Sequence, residues 1–209
     1  GDWVYTSTYG PDTATWSELN GDITINGGAE QTANVFYNTP FFETGDTISV
    51  DVSGHPDIYF TVSTINTMPH IVGHAGLRFG WGQYKKFQVK TKEKDGSFAP
   101  RSLYTENGEG PNSPFKMYIT RSDDTTYSFK YSDIDGTNMH TLSFLEPNPE
   151  GLVSTSVTLP EVYSQRFYVG FETYGGGERV FSNLESEQKG PIGTCLVDKC
   201  IFKQDLESS

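Results

Sequence analysis

The segment from His70 to Lys94 holds the residue types most capable of chemistry in this chain. Seven of the 15 lysines and arginines fall within 24 positions that begin in this segment, and only two acidic residues, Glu93 and Asp95, lie among them. The seven are Arg78, Lys85, Lys86, Lys90, Lys92, Lys94 and Arg101. Because clustered positive charge attracts anionic partners, this pattern indicates a surface that could select an anionic glycan such as a uronate polymer.

Two large aromatic residues lie among glycines in the same segment, in the run Gly80-Trp-Gly-Gln-Tyr84. Sugar rings stack their apolar faces on indole and phenol rings, and loops held by a rigid sheet can present such rings to a ligand. We therefore expect a glycan-binding site that combines these rings with hydrogen-bonding and cationic neighbours. Its candidate members are Arg78, Trp81, Gln83, Tyr84, Lys86 and Lys90.

A structural interpretation of the same residues stays open. In a strand, Lys86, Gln88 and Lys90 share one face and Phe87 and Val89 share the other. The lysine face could simply be solvated, since lysines on outer strands discourage edge-to-edge aggregation. An aromatic residue beside alternating apolar positions is also often part of a core, so Trp81 could cover the end of a sheet.

The segment also suggests a catalytic alternative, a polysaccharide lyase that cleaves a uronate polymer by β-elimination. That reaction needs a cation beside the substrate carboxylate and a base whose pKa lies near the working pH. Arg78 could neutralise the carboxylate, and His74 or Tyr84 could act as the base. A metal site on the histidines is not expected, because His70 and His74 would lie about 13 Å apart on a strand.

Composition and charge limit the class of protein. The chain has 209 residues with a formal net charge of −12, and no stretch approaches the ~18 apolar residues of a membrane span. The acidic balance argues against a general nucleic-acid binder, whose affinity depends on pairing lysine and arginine with phosphates. The length suits a single domain, and aromatic residues make up 14% of the sequence, so rings can form much of the core.

The periodicity of the sequence predicts an all-β fold. Apolar residues alternate with polar ones over most of the chain, and turn signals such as Asn20-Gly21, Asp95-Gly96 and Asp135-Gly136 separate the alternating runs. Two antiparallel sheets packed as a jelly-roll β-sandwich bury one face of every strand. The region from Lys94 to Pro114 is rich in glycine, serine, asparagine and proline, so we expect a long surface loop there.

Two segments, 115–138 and 167–184, resemble the later strands of the concanavalin A-like lectin/glucanase superfamily. The first reads FKMYITRSDDTTYSFKYSDIDGTN and the second FYVGFETYGGGERVFSNL. The resemblance implies a jelly-roll sandwich that binds carbohydrate in a cleft on its concave face, to which Tyr118 and Tyr168 could contribute. It also implies that a structural Ca²⁺ can be present and that no other cofactor is required.

The catalytic signatures of this superfamily are missing from the sequence. The Glu-x-Asp-x-Glu strand of laminarinase-like hydrolases is absent, as are the characteristic strand motifs of the polysaccharide lyases. Asp133 to Asn138 only partly matches a calcium-binding loop, and Asp135-Gly136 between two strands is better interpreted as a hairpin turn. The resemblance therefore favours a non-catalytic binding domain, with the lyase as the alternative.

A short disulfide is predicted between Cys195 and Cys200, with reduced, unlinked thiols as the alternative. The disulfide would hold the tail, residues 190–209, of a single domain that spans residues 1–209. A disulfide fits an oxidising compartment, so we expect a secreted or cell-surface protein. The hypothesis is an extracellular domain that binds a polysaccharide. A further alternative is an adhesin or surface-layer domain that binds proteins through an exposed apolar patch.

Overall fold

A computed structural model describes most of the chain: residues 2–7, 14–28, 32–54, 56–66, 76–82, 86–92, 98–104, 111, 113–145, 153–159 and 162–192. The described residues form 18 strands and no helix, so the all-β prediction is confirmed. No helix in this part of the chain is therefore long and apolar enough to cross a membrane.

The strands are numbered in chain order. They are β1 Trp3–Ser7, β2 Thr15–Leu19, β3 Asp22–Gly27, β4 Thr32–Tyr37, β5 Thr47–Gly54, β6 Ile58–Ser63, β7 Gly76–Gly82, β8 Lys86–Lys92, β9 Phe98–Tyr104, β10 Phe115–Arg121, β11 Thr126–Asp133, β12 His140–Thr141, β13 Ser143–Leu145, β14 Val153–Ser154, β15 Ser156–Thr158, β16 Tyr168–Tyr174, β17 Gly177–Ser186 and β18 Gly190–Pro191.

These strands form two antiparallel sheets. Sheet A has the order β1-β4-β16-β6-β7-β8-β9-β13-β14. Sheet B has the order β12-β11-β10-β5-β17-β3-β2, with β15 paired to β11 and β18 paired to β17. Strands that are distant in sequence are neighbours in both sheets, and this topology brings β4, β6, β7 and β16 side by side.

The core lies between the sheets and is built by period-two alternation. Phe171, Phe60 and Phe79 occupy one cross-strand row of sheet A and are buried. Phe171 stacks on Phe181 of sheet B with ring centroids 4.3 Å apart, and Phe79 meets Phe129 at 5.0 Å. Aromatic rings thus fill the space between the layers, as the composition predicts.

The prediction of a long loop from Lys94 to Pro114 is wrong over part of its length. Residues Phe98–Tyr104 form β9, which pairs with β8 and β13. A proline in the sequence argues against a central strand, but Pro100 pairs only with β8. On the other side of β9, the pairing with β13 extends no further than Leu103. The missing donor of the proline therefore costs no hydrogen bond between strands on that side.

The turn after β11 confirms the interpretation of residues 133–138 as a hairpin connection. Gly136 and Asn138 have positive φ values of 82° and 50°. The side chain of Asn138 donates to the Asp133 carboxylate and the hydroxyl of Thr137 donates to Asp135 Oδ1, each at 2.6 Å, so both carboxylates are used within the turn itself.

Two buried arginines hold the loops at the ends of the sandwich. Arg179, in β17, is fully buried and donates to the carbonyl oxygens of Pro56, Tyr174, Gly175 and Gly177. Arg121, in β10, is equally buried and donates to carbonyls of the segment before β16. The Arg179 contacts fix the chain at Pro56 and therefore the position of the following residue, Asp57.

We predict that Arg179→Met lowers the free energy of unfolding by about 3 kcal/mol, because a fully buried guanidinium is lost and four partly buried carbonyl oxygens lose their donor. Arg166→Met is the matched control, since the Arg166 side chain is 58% exposed and pairs with Glu43 at the surface. That control should change stability by less than about 1 kcal/mol. Urea unfolding followed by tryptophan fluorescence measures both, and an equal small effect of the two substitutions would contradict the structural role of Arg179.

Candidate functional site

Strand β7 carries a single side chain on the face of sheet A that points away from the core, here called the outer face. Gly76, Gly80 and Gly82 share that face with Arg78. The strand pairing places Arg78 between Thr61 of β6 and Lys90 of β8. Arg78 is therefore the only residue of β7 with a side chain on the outer face.

Arg78 is held by two neighbours. Its guanidinium forms an ion pair with Glu172 of β16, whose side chain is fully buried, and lies 4.7 Å from the centre of the Tyr59 ring. A Cβ on Gly80 would lie 2.5 Å from that ring, so only glycine lets Tyr59 lie across β7. Burial lowers the pKa of Arg78, and the buried pair depends on each partner to compensate the other's charge.

Beside this ion pair lies a row of buried polar atoms that have no hydrogen-bond partner. Thr6, Asn34 and Glu172 are in register on β1, β4 and β16, and Thr61 lies diagonally across on β6. Several side-chain atoms of this row lack hydrogen-bond partners. They are the hydroxyl oxygens of Thr6 and Thr61, the amide oxygen and nitrogen of Asn34 and, apart from the ion pair with Arg78, the carboxylate oxygens of Glu172. Each such group costs about 1–3 kcal/mol when left unsatisfied. The row can both donate and accept, which suits hydroxyl groups and water.

Lys90 lies directly opposite Arg78 on the outer face. Burial, and then the charge of Arg78, lowers the pKa of the Lys90 amine, and Asp57 partly opposes that effect. Arg78, Lys90 and Arg179 all interact electrostatically with Asp57, and Arg78 also pairs with Glu172, so among the described residues three cations are compensated by two carboxylates. Like charges opposite each other in a sheet are destabilising, and this arrangement is therefore suited to an anionic group.

The structure brings four of the predicted binding residues to the outer face of sheet A. Arg78 is partly exposed, and Lys90 and Tyr168 are half-buried on this face. Lys86 pairs with Gly82, which places its position on the same face. Gln83, Tyr84, His74, Cys195 and Cys200 lie outside the described residues.

Two predicted binding residues lie elsewhere. Trp81 lies within β7, not in a loop, and is 8% exposed in the core, where its ring meets Phe87 at 4.9 Å. The residues expected to form a loop around Trp81 belong to the strand, because the alternation continues through Gly80 and Gly82. Tyr118 lies on the far side of the sandwich, on the outer face of sheet B, where its hydroxyl is 3.1 Å from Ser132 Oγ. Neither residue can contribute to a cleft over sheet A.

The residues that complete the site were missed by the sequence analysis: Asp57, Tyr59, Thr61, Asn34 and Glu172. The sequence offers one local signal, and it concerns Glu172: this acidic residue lies inside the strand Tyr168–Tyr174, which is otherwise mostly buried. Buried carboxylates need a partner, but the partner, Arg78, is 94 positions away in the sequence. The strand order alone brings them together.

The row of polar atoms around Asn34 does not fit a calcium site. The described residues contain no group of three or more His, Cys, Asp or Glu side chains placed to hold a metal ion. The oxygen-rich row around Asn34 has one carboxylate, Glu172, and the guanidinium of Arg78 already pairs with it. Calcium prefers several oxygen ligands with more negative charge than this row provides.

Comparison of the sequence with protein-family models and with curated protein sequences gives no match. Solved structures do match the fold. A protein of unknown function with a galectin-like fold from Bacillus subtilis has a TM-score of 0.56 at 11% identity, covering 91% of each chain. The VIP36 exoplasmic/lumenal domain in its Ca²⁺/Man-bound form has a TM-score of 0.55 at 11% identity, covering 96% of this chain and 86% of that one.

A third structure, the legume lectin-like domain from Entamoeba histolytica, has a TM-score of 0.52 at 7% identity and covers 87% of this chain and 88% of that domain. At these low sequence identities, the structural similarity is evidence for the fold alone. Together with the two antiparallel sheets, it shows that this chain has the concanavalin A-like jelly-roll fold implied by its later strands.

We predict strong coupling between Arg78 and Glu172 in a double-mutant cycle. Arg78→Met and Glu172→Leu should each destabilise the protein by about 3 kcal/mol or more, since each leaves a buried charge unpaired. The double variant should be at least about 2 kcal/mol more stable than the sum of the single effects implies. The exposed pair Arg166 and Glu43 serves as control, with a coupling below about 1 kcal/mol. Additive effects of the Arg78 and Glu172 substitutions in urea unfolding would contradict the pair.

Proposed function

We propose that this chain is a secreted or cell-surface carbohydrate-binding domain that binds an acidic polysaccharide on the outer face of sheet A. The observation that carries the proposal is the juxtaposition, on one sheet face, of buried polar atoms without partners and a cationic pair with excess positive charge. Hydroxyl recognition and anion recognition are thus available side by side.

The unpartnered polar atoms favour a ligand rich in hydroxyls. A sugar hydroxyl donates one hydrogen bond and accepts others, which complements a row containing Asn34, Thr61 and Glu172. A purely apolar ligand would leave these groups unsatisfied, and a purely anionic one would meet the Glu172 carboxylate. Carbohydrate is the ligand class whose groups suit all members of the row.

The charge distribution favours an acidic polymer over a neutral one. The whole chain is acidic, with a net charge of −12, so the excess positive charge at Arg78 and Lys90 is local. The positions of Lys86 and Lys92, at the two ends of β8, lie on the same face. A local basic strip on an acidic protein concentrates anions at that strip and not elsewhere.

The structural comparisons support a sugar ligand by analogy of fold. One matching structure is a carbohydrate-binding module from Bacillus subtilis, with a TM-score of 0.50 at 10% identity over 88% of this chain and 94% of that one. The VIP36 domain matches in its Ca²⁺/Man-bound form. Because one fold hosts many functions, the residues of the outer face carry the proposal and the analogy only agrees with it.

Binding without cleavage is the form of the proposal that the geometry favours. A lyase would use Arg78 to neutralise the carboxylate of its substrate, but the Arg78 guanidinium is already paired with the buried Glu172. Lys90, half-buried and without such a pairing in the described part of the chain, is better placed to contact an added anion.

Affinity electrophoresis tests the proposal with three acidic polysaccharides, alginate, polygalacturonate and hyaluronan, and with neutral dextran and β-glucan. We expect at least one acidic polymer to retard the protein and the retardation to weaken as salt is added, because screening reduces the attraction between exposed charges. A protein that migrates unchanged in all five gels would overturn the proposal. Equal retardation by neutral and acidic polymers would remove the preference for acidic glycans.

Lys90→Met should raise stability and lower affinity at the same time. Removing the amine relieves repulsion with Arg78, so the free energy of unfolding should rise by roughly 0.5 kcal/mol at neutral pH. Because the pKa of Lys90 is lower in the folded protein, the gain should shrink as pH rises through that lowered pKa and be absent above the unfolded value of 10.5. Affinity for the acidic polymer should fall by about tenfold, equivalent to roughly 1.4 kcal/mol.

Lys130→Met is the matched control, since Lys130 is a half-buried lysine on the outer face of sheet B, opposite Tyr118. It should leave affinity for the acidic polymer unchanged. Urea unfolding and isothermal titration calorimetry give the two quantities for each variant. If Lys130→Met weakened binding as much as Lys90→Met does, the ligand would not be confined to sheet A.

A further inference from the structure

Three polar groups converge on the space above Gly82, at the end of β7. A Cβ atom built on Gly82 would lie 3.4 Å from Gln88 Nε2, 3.5 Å from Asp57 Oδ1 and 3.5 Å from the Tyr59 hydroxyl. These are ordinary contact distances, so the space accommodates at least one carbon atom and is bordered by three hydrogen-bonding groups. The three groups come from β6, from the residue just before it and from β8.

The backbone of Asp57 is held in place from several directions. Asp57 has a positive φ of 68°, donates its backbone N–H to Trp81 at 2.8 Å and accepts from the Tyr174 N–H at 3.3 Å. Arg179 binds the carbonyl of the preceding Pro56. A non-glycine residue in this conformation persists only where its surroundings impose it, and such positions cluster at functional sites. Asp57 is therefore a preorganised hydrogen-bond acceptor.

The other two groups have defined roles beside it. The Tyr59 hydroxyl donates to Asp57 Oδ1 at 3.3 Å, and burial raises the pKa of Tyr59 to about 12, so it stays a donor at any physiological pH. The Gln88 side chain is half-buried and makes no hydrogen bond within the described residues. An amide without a partner, next to a fixed carboxylate, offers donor and acceptor capacity to a third group.

This combination suits a pair of neighbouring sugar hydroxyls. One hydroxyl can donate to the Asp57 carboxylate while the adjacent hydroxyl accepts from the Gln88 amide. An anionic group is disfavoured by the charge of Asp57. An added cation is disfavoured by Arg78 and Arg179, both close enough to Tyr59 to influence its pKa.

We infer that the space above Gly82 is a second subsite of the proposed glycan site, and that it takes two adjacent hydroxyls of a sugar residue. Gly82 and Arg78 are four residues apart on β7, a distance of about 13 Å along the strand. A ligand that fills both positions is therefore longer than one sugar ring. It places an acidic residue at Arg78 and Lys90, and a further residue of the same chain over Gly82. This inference rests on the proposed function.

Gly82→Ala tests the subsite without disturbing the backbone. Gly82 does not have the positive φ that would strain an alanine, and the added methyl group makes no contact below 3.4 Å. The methyl group occupies the space where the ligand hydroxyls would lie, so we expect affinity for the bound acidic polymer to fall by at least about tenfold with unchanged unfolding. Gln88→Ala removes one hydrogen-bonding group and should weaken binding severalfold. Gly176→Ala is the control, because that glycine is exposed and its Cβ would meet a single atom at 3.8 Å.

The probes are alginate, polygalacturonate and hyaluronan, each in its native form and with its secondary hydroxyls acetylated, which leaves the carboxylates intact. Acetylation should weaken binding to the wild type and abolish the difference between wild type and Gly82→Ala. If the wild type binds a native polymer but Gly82→Ala and Gln88→Ala bind it equally well, or acetylation has no effect, the subsite is overturned and the proposed function stands. If no native polymer binds the wild type, the proposed function is overturned and the subsite with it.

Discussion

The ion pair between Arg78 and Glu172 is the interaction on which the outer face of sheet A depends. Glu172 is fully buried, and an unpaired carboxylate there would be strongly destabilising. Its pairing fixes Arg78 against the Tyr59 ring, and the absence of a side chain at Gly80 makes room for that ring. The charge pattern of the face follows, because Glu172 is committed to Arg78 and leaves the neighbouring Lys90 with little compensation.

The arginines of this chain show how burial separates structural from binding roles. Arg179 and Arg121 are fully buried and donate mainly to backbone carbonyls, which makes them parts of the scaffold. Arg78 instead pairs with the buried Glu172 and retains some exposure on the face opposite the core. An arginine of the second kind can contact a ligand with its exposed part while it keeps its ion pair and leaves the loops in place.

Sequence patterns predicted the fold well and the site only in part, for a physical reason. Alternation at Ile58, Phe60 and Val62 specifies which side chains face the core, and it is a local property of the chain. It also places Lys86 and Lys90 on one face, as observed. Glu172 and Asn34 reach Arg78 only through the order of strands in sheet A, which no local spacing encodes. Trp81 was misplaced because its flanking glycines resemble a loop, although they continue the strand.

The most direct measurement of the central claim is NMR of the arginine Nε–H groups in isotope-labelled protein during a titration with the native acidic polysaccharide that retards it. Binding on the outer face of sheet A predicts a saturable shift of the Arg78 signal, while the signal of Arg121, in the opposite sheet, stays unchanged. An Arg78 signal that does not move when the polymer is saturating would contradict the assignment of this face as the binding surface.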